Sequence, residues 1–173
     1  LEMPKHSSPL LLNIGFIIHE DVGYSRDFEF DYAELHLPPD LDLKDVAGMA
    51  RFSRTPQGLL VVVNLSALTQ ADCVRCLDGI QQPIAIDFTE LYAFNKRSVS
   101  ESGLLVPDNG QIDLGPIARE YLLLDVPMNP LCKPDCLGLC PQCGNNLNQK
   151  KCSHKEDNID PRFSKLQELL DKK

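Results

Sequence analysis

The stretch Pro56-Gln57-Gly58-Leu59-Leu60-Val61-Val62-Val63-Asn64-Leu65 decides the architecture of this chain. A Pro-x-Gly turn opens onto a short aliphatic run rich in β-branched valine. That composition and length describe a buried strand. The turn folds the run back on Val46–Thr55, so residues 46–65 read as a hairpin. Toward the N-terminus, Arg26-Asp27-Phe28-Glu29-Phe30-Asp31-Tyr32 alternates aromatic and charged residues, the pattern of a half-buried strand, and Pro38-Pro39 ends any regular element. Toward the C-terminus, Pro83–Phe94 places Ile84, Ile86, Phe88, Tyr92 and Phe94 on one face of another strand. These residues are read as sheet core.

Helical signals follow the strands. Residues 95–111 are polar and read as a surface loop. Asp113-Leu-Gly-Pro116 then opens a helix, with Asp113 as cap and Pro116 in the first turn. Leu114, Ile117, Tyr121 and Leu124 keep helical spacing until Pro127 and Pro130 stop it. A terminal helix is expected from Asp160-Pro161 through Phe163, Leu166 and Leu170. The expected fold is α+β: an antiparallel sheet or small barrel with one packing helix, a zinc-bound C-terminal segment and a terminal helix. Residues 1–131 are read as a mainly β domain with its helix near 113–125, and 132–173 as the zinc-binding segment with the terminal helix.

Composition narrows the function. The 173 residues carry a formal net charge of −8 and 43% hydrophobic residues, with no Trp, so the core is mainly aliphatic. Such acidity suits a basic partner better than a polyanion, whose phosphates need Lys and Arg. Charge is uneven: His19–Asp45 holds nine acidic and two basic residues, whereas 144–173 is locally +2. The apolar runs are too short to span a bilayer. With no cleavable signal pattern, the expectation is a cytoplasmic protein with no membrane contact.

The chemistry lies in the cysteines. There are seven, an odd number, none before Cys73, and five of them crowd into 132–152. That distribution argues against a disulfide framework and for metal ligands. Cys140-Pro-Gln-Cys143-Gly144 is a zinc knuckle: two thiolates three residues apart grip one ion when the chain between them turns tightly. Pro141 fixes a backbone angle there, and Gly144 permits the positive φ after the turn. Cys152 and His154 lie close by and would complete a site of three thiolates and one imidazole. Cys73, Cys76, Cys132 and Cys136 would then form an all-thiolate site closing a long loop. One or two zinc ions, and exchange of a pair between the sites, remain open readings.

Other chemistries fit less well. A Cys-x-x-Cys redox site normally follows a strand and opens a helix, whereas Cys73 and Cys76 precede Leu77-Asp78-Gly79 and a strand. An iron–sulfur cluster is disfavoured by the Cys-Pro-x-Cys-Gly sequence with a nearby His. Catalytic zinc keeps an open position, and a sulfur-rich set is normally closed. Hydrolase, Walker-type and His-Glu-x-x-His patterns are missing. The chain is therefore expected not to be an enzyme.

Taken together, Cys73-Val-Arg-Cys76-Leu, the Asp113-Leu helix with Pro127 and Pro130, the run Cys136-Leu-Gly-Leu-Cys140-Pro-Gln-Cys143-Gly-Asn-Asn-Leu-Asn148 and Asp160-Pro-Arg-Phe-Ser-Lys-Leu166 resemble the YceD-type proteins of bacteria and plastids. The resemblance extends roughly over Asp21–Leu170. It departs in one place, where a second Cys is expected beside Cys152 and the chain offers His154. It implies a role in making or stabilising the large ribosomal subunit, seen as accumulation of its large RNA. The resemblance supplies no mechanism, but the charge distribution suggests one: an assembly factor whose partner is a large-subunit precursor or a basic ribosomal protein, docked on the acidic 19–45 region through Glu29, Asp31 and Glu34. An alternative is direct ribosomal RNA contact through Lys150, Lys151, Lys155, Arg162 and Lys165. A less favoured alternative is redox chemistry at Cys73 and Cys76.

Overall fold

A computed structural model describes residues 8–98 and 102–153 of the chain. In chain order the elements are β1 (Leu11–Asn13), α1 (Gly15–Ile18), β2 (Ser25–Leu37), β3 (Leu41–Arg54), β4 (Gly58–Asp72), β5 (Gly79–Ala93), β6 (Gln111–Asp113) and α2 (Gly115–Asp125). Strands β2 to β5 make one antiparallel sheet in sequential order, and β1 pairs with β6 in a two-stranded ribbon. This is an antiparallel α+β fold. The terminal helix expected from Asp160 lies outside the described residues. Among the described residues no helix is long and apolar enough to cross a membrane.

The hairpin of residues 46–65 is present, but each of the four strands of the main sheet is longer than the run that signals it in the sequence. β4 runs on past Leu65 because Ala67 and Thr69 continue the inward alternation with smaller side chains. β5 begins before Pro83, which pairs with Leu68 inside the strand. Proline is tolerated there because β5 is an edge strand. Pro38-Pro39 does end β2, through a cis peptide. In β3 the inward positions switch from Leu41 and Leu43 to Val46, Ala50 and Phe52. An extra residue causes this: the register against β4 shifts between Lys44 and Ala47, and Asp45 sits at φ 49°.

One face of the sheet is covered. Leu10, Ile14, Ile17, Ile112, Leu114, Ala118 and Leu122 pack with Phe52, Leu59, Val61 and the other inward side chains in a single cluster. The Tyr121 ring stacks on Phe88 at 4.4 Å between centroids, and its hydroxyl donates to Glu90 at 3.0 Å. The small-barrel alternative is not realised: β2 and β5 remain the two edges of an open sheet.

Three local expectations need correction. Leu114 occupies the N-cap position of α2, while the Asp113 carboxylate, in β6, accepts the Gly115 N–H at 2.8 Å and the Ser8 hydroxyl at 2.7 Å. The buried line of α2 is 114–118–122, with Ile117 and Tyr121 at its rim, and Leu124 is 83% exposed in the last turn. The 95–111 segment is not wholly a surface loop, because Leu104 and Val106 pack on the core and Leu105 bridges to Ala93.

At Gly48 the backbone of β4 leaves no room for a side chain on β3. A Cβ there would run into the Asn64 carbonyl oxygen and lie 2.8 Å from Leu65 Cα, whereas at Gly79 the nearest atom would be 3.7 Å away. Gly48→Ala is expected to destabilise the fold by about 1–3 kcal/mol. Gly79→Ala should change it by less than about 0.5 kcal/mol. Urea unfolding midpoints of the two variants test this contrast.

Candidate metal centre

The β4–β5 connection and the segment after α2 build the site from two turns of the same design. In the first, Leu77 N–H donates to the Cys73 carbonyl at 2.9 Å and Cys73 N–H to the Asp78 carbonyl at 3.0 Å. In the second, Gly144 N–H donates to the Cys140 carbonyl and Cys140 N–H to the Asn145 carbonyl, both at 2.8 Å. The residue after the second cysteine is left-handed in each, Gly144 at φ 71° and Leu77 at φ 60°. Glycine is the usual occupant of that conformation, so the sequence signals it at 144 and hides it at 77.

The structure brings Cys73, Cys76, Cys132 and Cys136 into one group. Their sulfurs lie within 4.8 Å of one another, and so do those of Cys140, Cys143 and Cys152. His154 lies outside the described residues. In the first group Cys73 and Cys136 sulfurs are 3.8 Å apart and Cys76 and Cys132 sulfurs 3.6 Å apart. In the second, Cys143 and Cys152 sulfurs are 3.4 Å apart. A zinc ion about 2.3 Å from four thiolates sets them about 3.8 Å apart on each tetrahedral edge. Sulfurs joined in a disulfide would be about 2.05 Å apart. The four-cysteine group therefore has the dimensions of a metal tetrahedron and can hold a metal ion.

Burial separates the two groups. Cys73, Cys76 and Cys136 are buried and pack with Leu131, leaving Cys132 exposed. In the second group only Cys140 is buried, while Cys143 is exposed. Burial pushes the Cys73 thiol up, yet the backbone N–H groups of Cys132, Cys76 and Arg75 outweigh it and bring it down to about 6. Cys136 is likewise lowered against burial by the Asn148 amide and the Gly138 N–H. The N–H groups of Cys143 and Gln142 lower Cys140. Its hydrogen-bonded neighbour Cys143 pushes Cys152 up to about 11. Cys76 and Cys132 are raised as well: against the Asp78 N–H, burial and neighbouring thiols raise Cys76, and burial raises Cys132. The lowered sulfurs are those already favoured as thiolates, the form a cation binds.

Around the sulfurs runs a polar frame. Asn148 donates its amide to Cys136 Sγ at 3.3 Å and accepts the Leu137 N–H at 3.0 Å. Asn146 donates to Asp78 Oδ2 at 2.9 Å, and that oxygen lies 3.3 Å from Cys76 Sγ. Asn146 Oδ1 also accepts from Asn148 Nδ2 at 2.9 Å. Arg75 ties the two segments: its guanidinium donates to the Cys136 carbonyl at 2.8 Å, and its own carbonyl accepts the Leu139 N–H at 3.0 Å. Gly138, at φ 76°, lets that carbonyl approach, since a Cβ would sit 3.0 Å from it. Reading the sequence assigned none of these roles to Arg75, Asp78, Asn146 or Asn148. The repeated asparagines of Asn145-Asn146-Leu147-Asn148 were the available signal.

Comparison with known proteins adds an independent line. The family model described as large ribosomal RNA subunit accumulation protein YceD matches residues 61–170. An uncharacterised protein of Mycobacterium tuberculosis is 35% identical over 137 residues, covering 76% of this chain and 61% of that protein. The chain thus spans about three fifths of that relative's length. YlbN of Bacillus subtilis is 29% identical over 100 residues, 57% of this chain and 58% of its own. A chloroplastic protein of Arabidopsis thaliana, named large ribosomal RNA subunit accumulation protein YCED homolog 1, is 30% identical over 63 residues, 36% of this chain and 20% of its own. No solved structure matches.

Asn148 orients and charges a thiolate without being a ligand. Removing such a partner typically weakens metal binding roughly 10- to 100-fold. Asn148→Ala is expected to lose that much at the four-cysteine group, measured by titrating metal-free protein with cobalt(II) and following thiolate-to-metal absorption. Unchanged affinity would leave Asn148 a purely backbone-bracing role.

Proposed function

The chain belongs to the YceD family of large ribosomal RNA subunit accumulation proteins, and on that premise we propose that it is a non-enzymatic, zinc-carrying factor in large-subunit biogenesis. It supports accumulation of the large ribosomal RNA by holding a basic ribosomal protein until that protein reaches the subunit. Zinc, when bound by Cys73, Cys76, Cys132 and Cys136, supplies a cross-link between sheet and C-terminal segment. Cys140, Cys143, Cys152 and His154 are proposed to hold a second ion. An all-thiolate site of this kind has no open position for substrate, which favours a structural ion over a catalytic one.

The observation that carries the docking reading is the charge left free on β2. Asp27 is already neutralised: Arg51 donates to it through Nε at 2.7 Å and Nη2 at 2.9 Å, and that bond holds its carboxyl below the usual range. Glu29 and Asp31 lie opposite Met49 and Ala47 instead, so no cation faces them across the strand pair. Both are exposed. Their field attracts a cationic partner and excludes phosphate.

A second reading has its own observation. Lys150 and Lys151 are exposed directly beside Cys152, next to the second sulfur group. Contact with ribosomal RNA there would add phosphate anchors to the protein contact. It would weaken steeply with salt.

Tagged protein used to capture partners from its native lysate at low salt tests both readings. A basic large-subunit protein retained after nuclease treatment is the expected result. Reversing Glu29, Asp31 and Glu34 to Lys should reduce its recovery about tenfold or more. Unchanged recovery would contradict the docking role of β2, and capture lost on nuclease treatment would transfer the contact to RNA.

A further inference from the structure

The two edges of the main sheet are treated differently. On β5, Pro83 has no N–H to offer and the Ala85 N–H is taken by Asp125 Oδ2 at 2.8 Å. At its far end, Ala93 donates to the Leu104 carbonyl and accepts the Val106 N–H. A proline, a carboxylate and a covering segment are the devices by which natural sheets block further pairing.

Over the first half of β2, among the described residues, no proline, no carboxylate bound to an edge N–H and no covering segment is present, although its own side chains are charged. Arg54 N–H donates to the Tyr24 carbonyl. With the antiparallel register of Arg26 to Phe52, Phe28 to Ala50 and Phe30 to Gly48, the N–H and C=O groups of Asp27, Glu29 and Asp31 point away from β3. Among the described residues none of these outward groups has a backbone partner. From Tyr32 onward the edge is flanked by other parts of the chain: the Tyr32 hydroxyl donates to the Pro9 carbonyl at 2.9 Å, and Pro9, Pro116 and Arg119 line a cleft with Tyr32 and residues 34–38. The open stretch is therefore about five residues, enough for a strand.

We propose that the open β2 edge at Asp27–Asp31 receives an extended basic segment of a protein partner as a fifth strand, a mode that rests on the docking reading above. Charge complementarity selects the occupant. Side chains of an added strand lie about 5 Å from those of its neighbour on the same face. Lys or Arg at alternate positions would stand beside Glu29 and Asp31, whose charges are unopposed. The intervening residues would fall on the covered face beside Phe28, which is only half-buried at this edge, and would extend the core over it. The segment sought thus alternates basic and apolar residues. Backbone pairing supplies affinity and the alternation supplies selectivity.

The test uses the full chain and a capped eight-residue peptide alternating Lys and Val. Two isomers carry N-methyl groups on either the Lys amides or the Val amides. A paired strand turns one set of amides toward β2 and the other toward solvent. One isomer is therefore expected to bind about tenfold or more weaker than the parent, and the other to bind as the parent does. Amide exchange at Asp27, Glu29 and Asp31 should slow when the parent peptide binds, and the Glu29→Gln, Asp31→Asn variant should lose affinity for it. Equal binding of both isomers would overturn strand addition. So would protection of those three amides in the free protein, which would mean that the chain or a second copy already covers the edge. The two proposals fail separately. Capture of a basic ribosomal protein through Glu29 and Asp31, with isomers indistinguishable, removes the strand and keeps the acidic surface. Isomer discrimination without such capture keeps the strand and removes the ribosomal protein as its source.

Discussion

Four sulfurs, placed so that they can hold a metal ion, meet where the turn between β4 and β5 packs against the segment that follows α2. Cys73 and Cys136 are 63 residues apart in sequence, and Cys76 and Cys132 are 56 apart. A cross-link closing a loop of this length removes chain entropy from the unfolded state worth about 4 kcal/mol. The segment 127–153 contributes no helix or ladder strand among the described residues. Only Cys136 and Cys140 within it are buried apolar residues. Hydrophobic burial alone is therefore a weak anchor for it; the Arg75 and Asn148 bonds add to it, and a metal ion held by the four sulfurs would supply the cross-link that the core does not.

The two sulfur groups are joined as well as adjacent. Asn146 follows the Cys140–Cys143 turn yet hydrogen-bonds Asp78, which flanks Cys76. Asn148 lies between the turn and Cys152 yet donates to Cys136. Forming the second turn thus places two amides on the frame of the first. The sheet meanwhile keeps one edge closed by Pro83, Asp125 and residues 104–106, and one edge open beside unopposed carboxylates.

Much of this was legible in the chain. Period-two alternation at Phe28-Phe30-Tyr32 and at Ile84-Ile86-Phe88 identified the inward faces, because sheet burial acts directly on every second residue. Cys-x-x-Cys spacing identified the two turns for the same reason: the geometry is local. What was illegible depends on neighbours. The parity switch at Asp45 comes from one extra residue that no propensity marks. The strand containing Pro83 is possible only because β5 is an edge. Leu77 adopts a left-handed conformation without a glycine to announce it. Leu124 keeps the helical spacing of α2 yet is exposed, since spacing alone does not say which line of the helix the core selects. Burial of Leu114, Ala118 and Leu122 shows which line the core selected.

The most direct test of this account is native mass spectrometry of the reduced, full-length protein expressed without added metal, followed by zinc analysis. The account predicts two zinc ions per chain, one for each sulfur group, with one lost in Cys143→Ser while the sheet stays folded. Metal-free protein with an intact sheet and all thiols free, or with Cys73 paired to Cys76 in a disulfide, would contradict it.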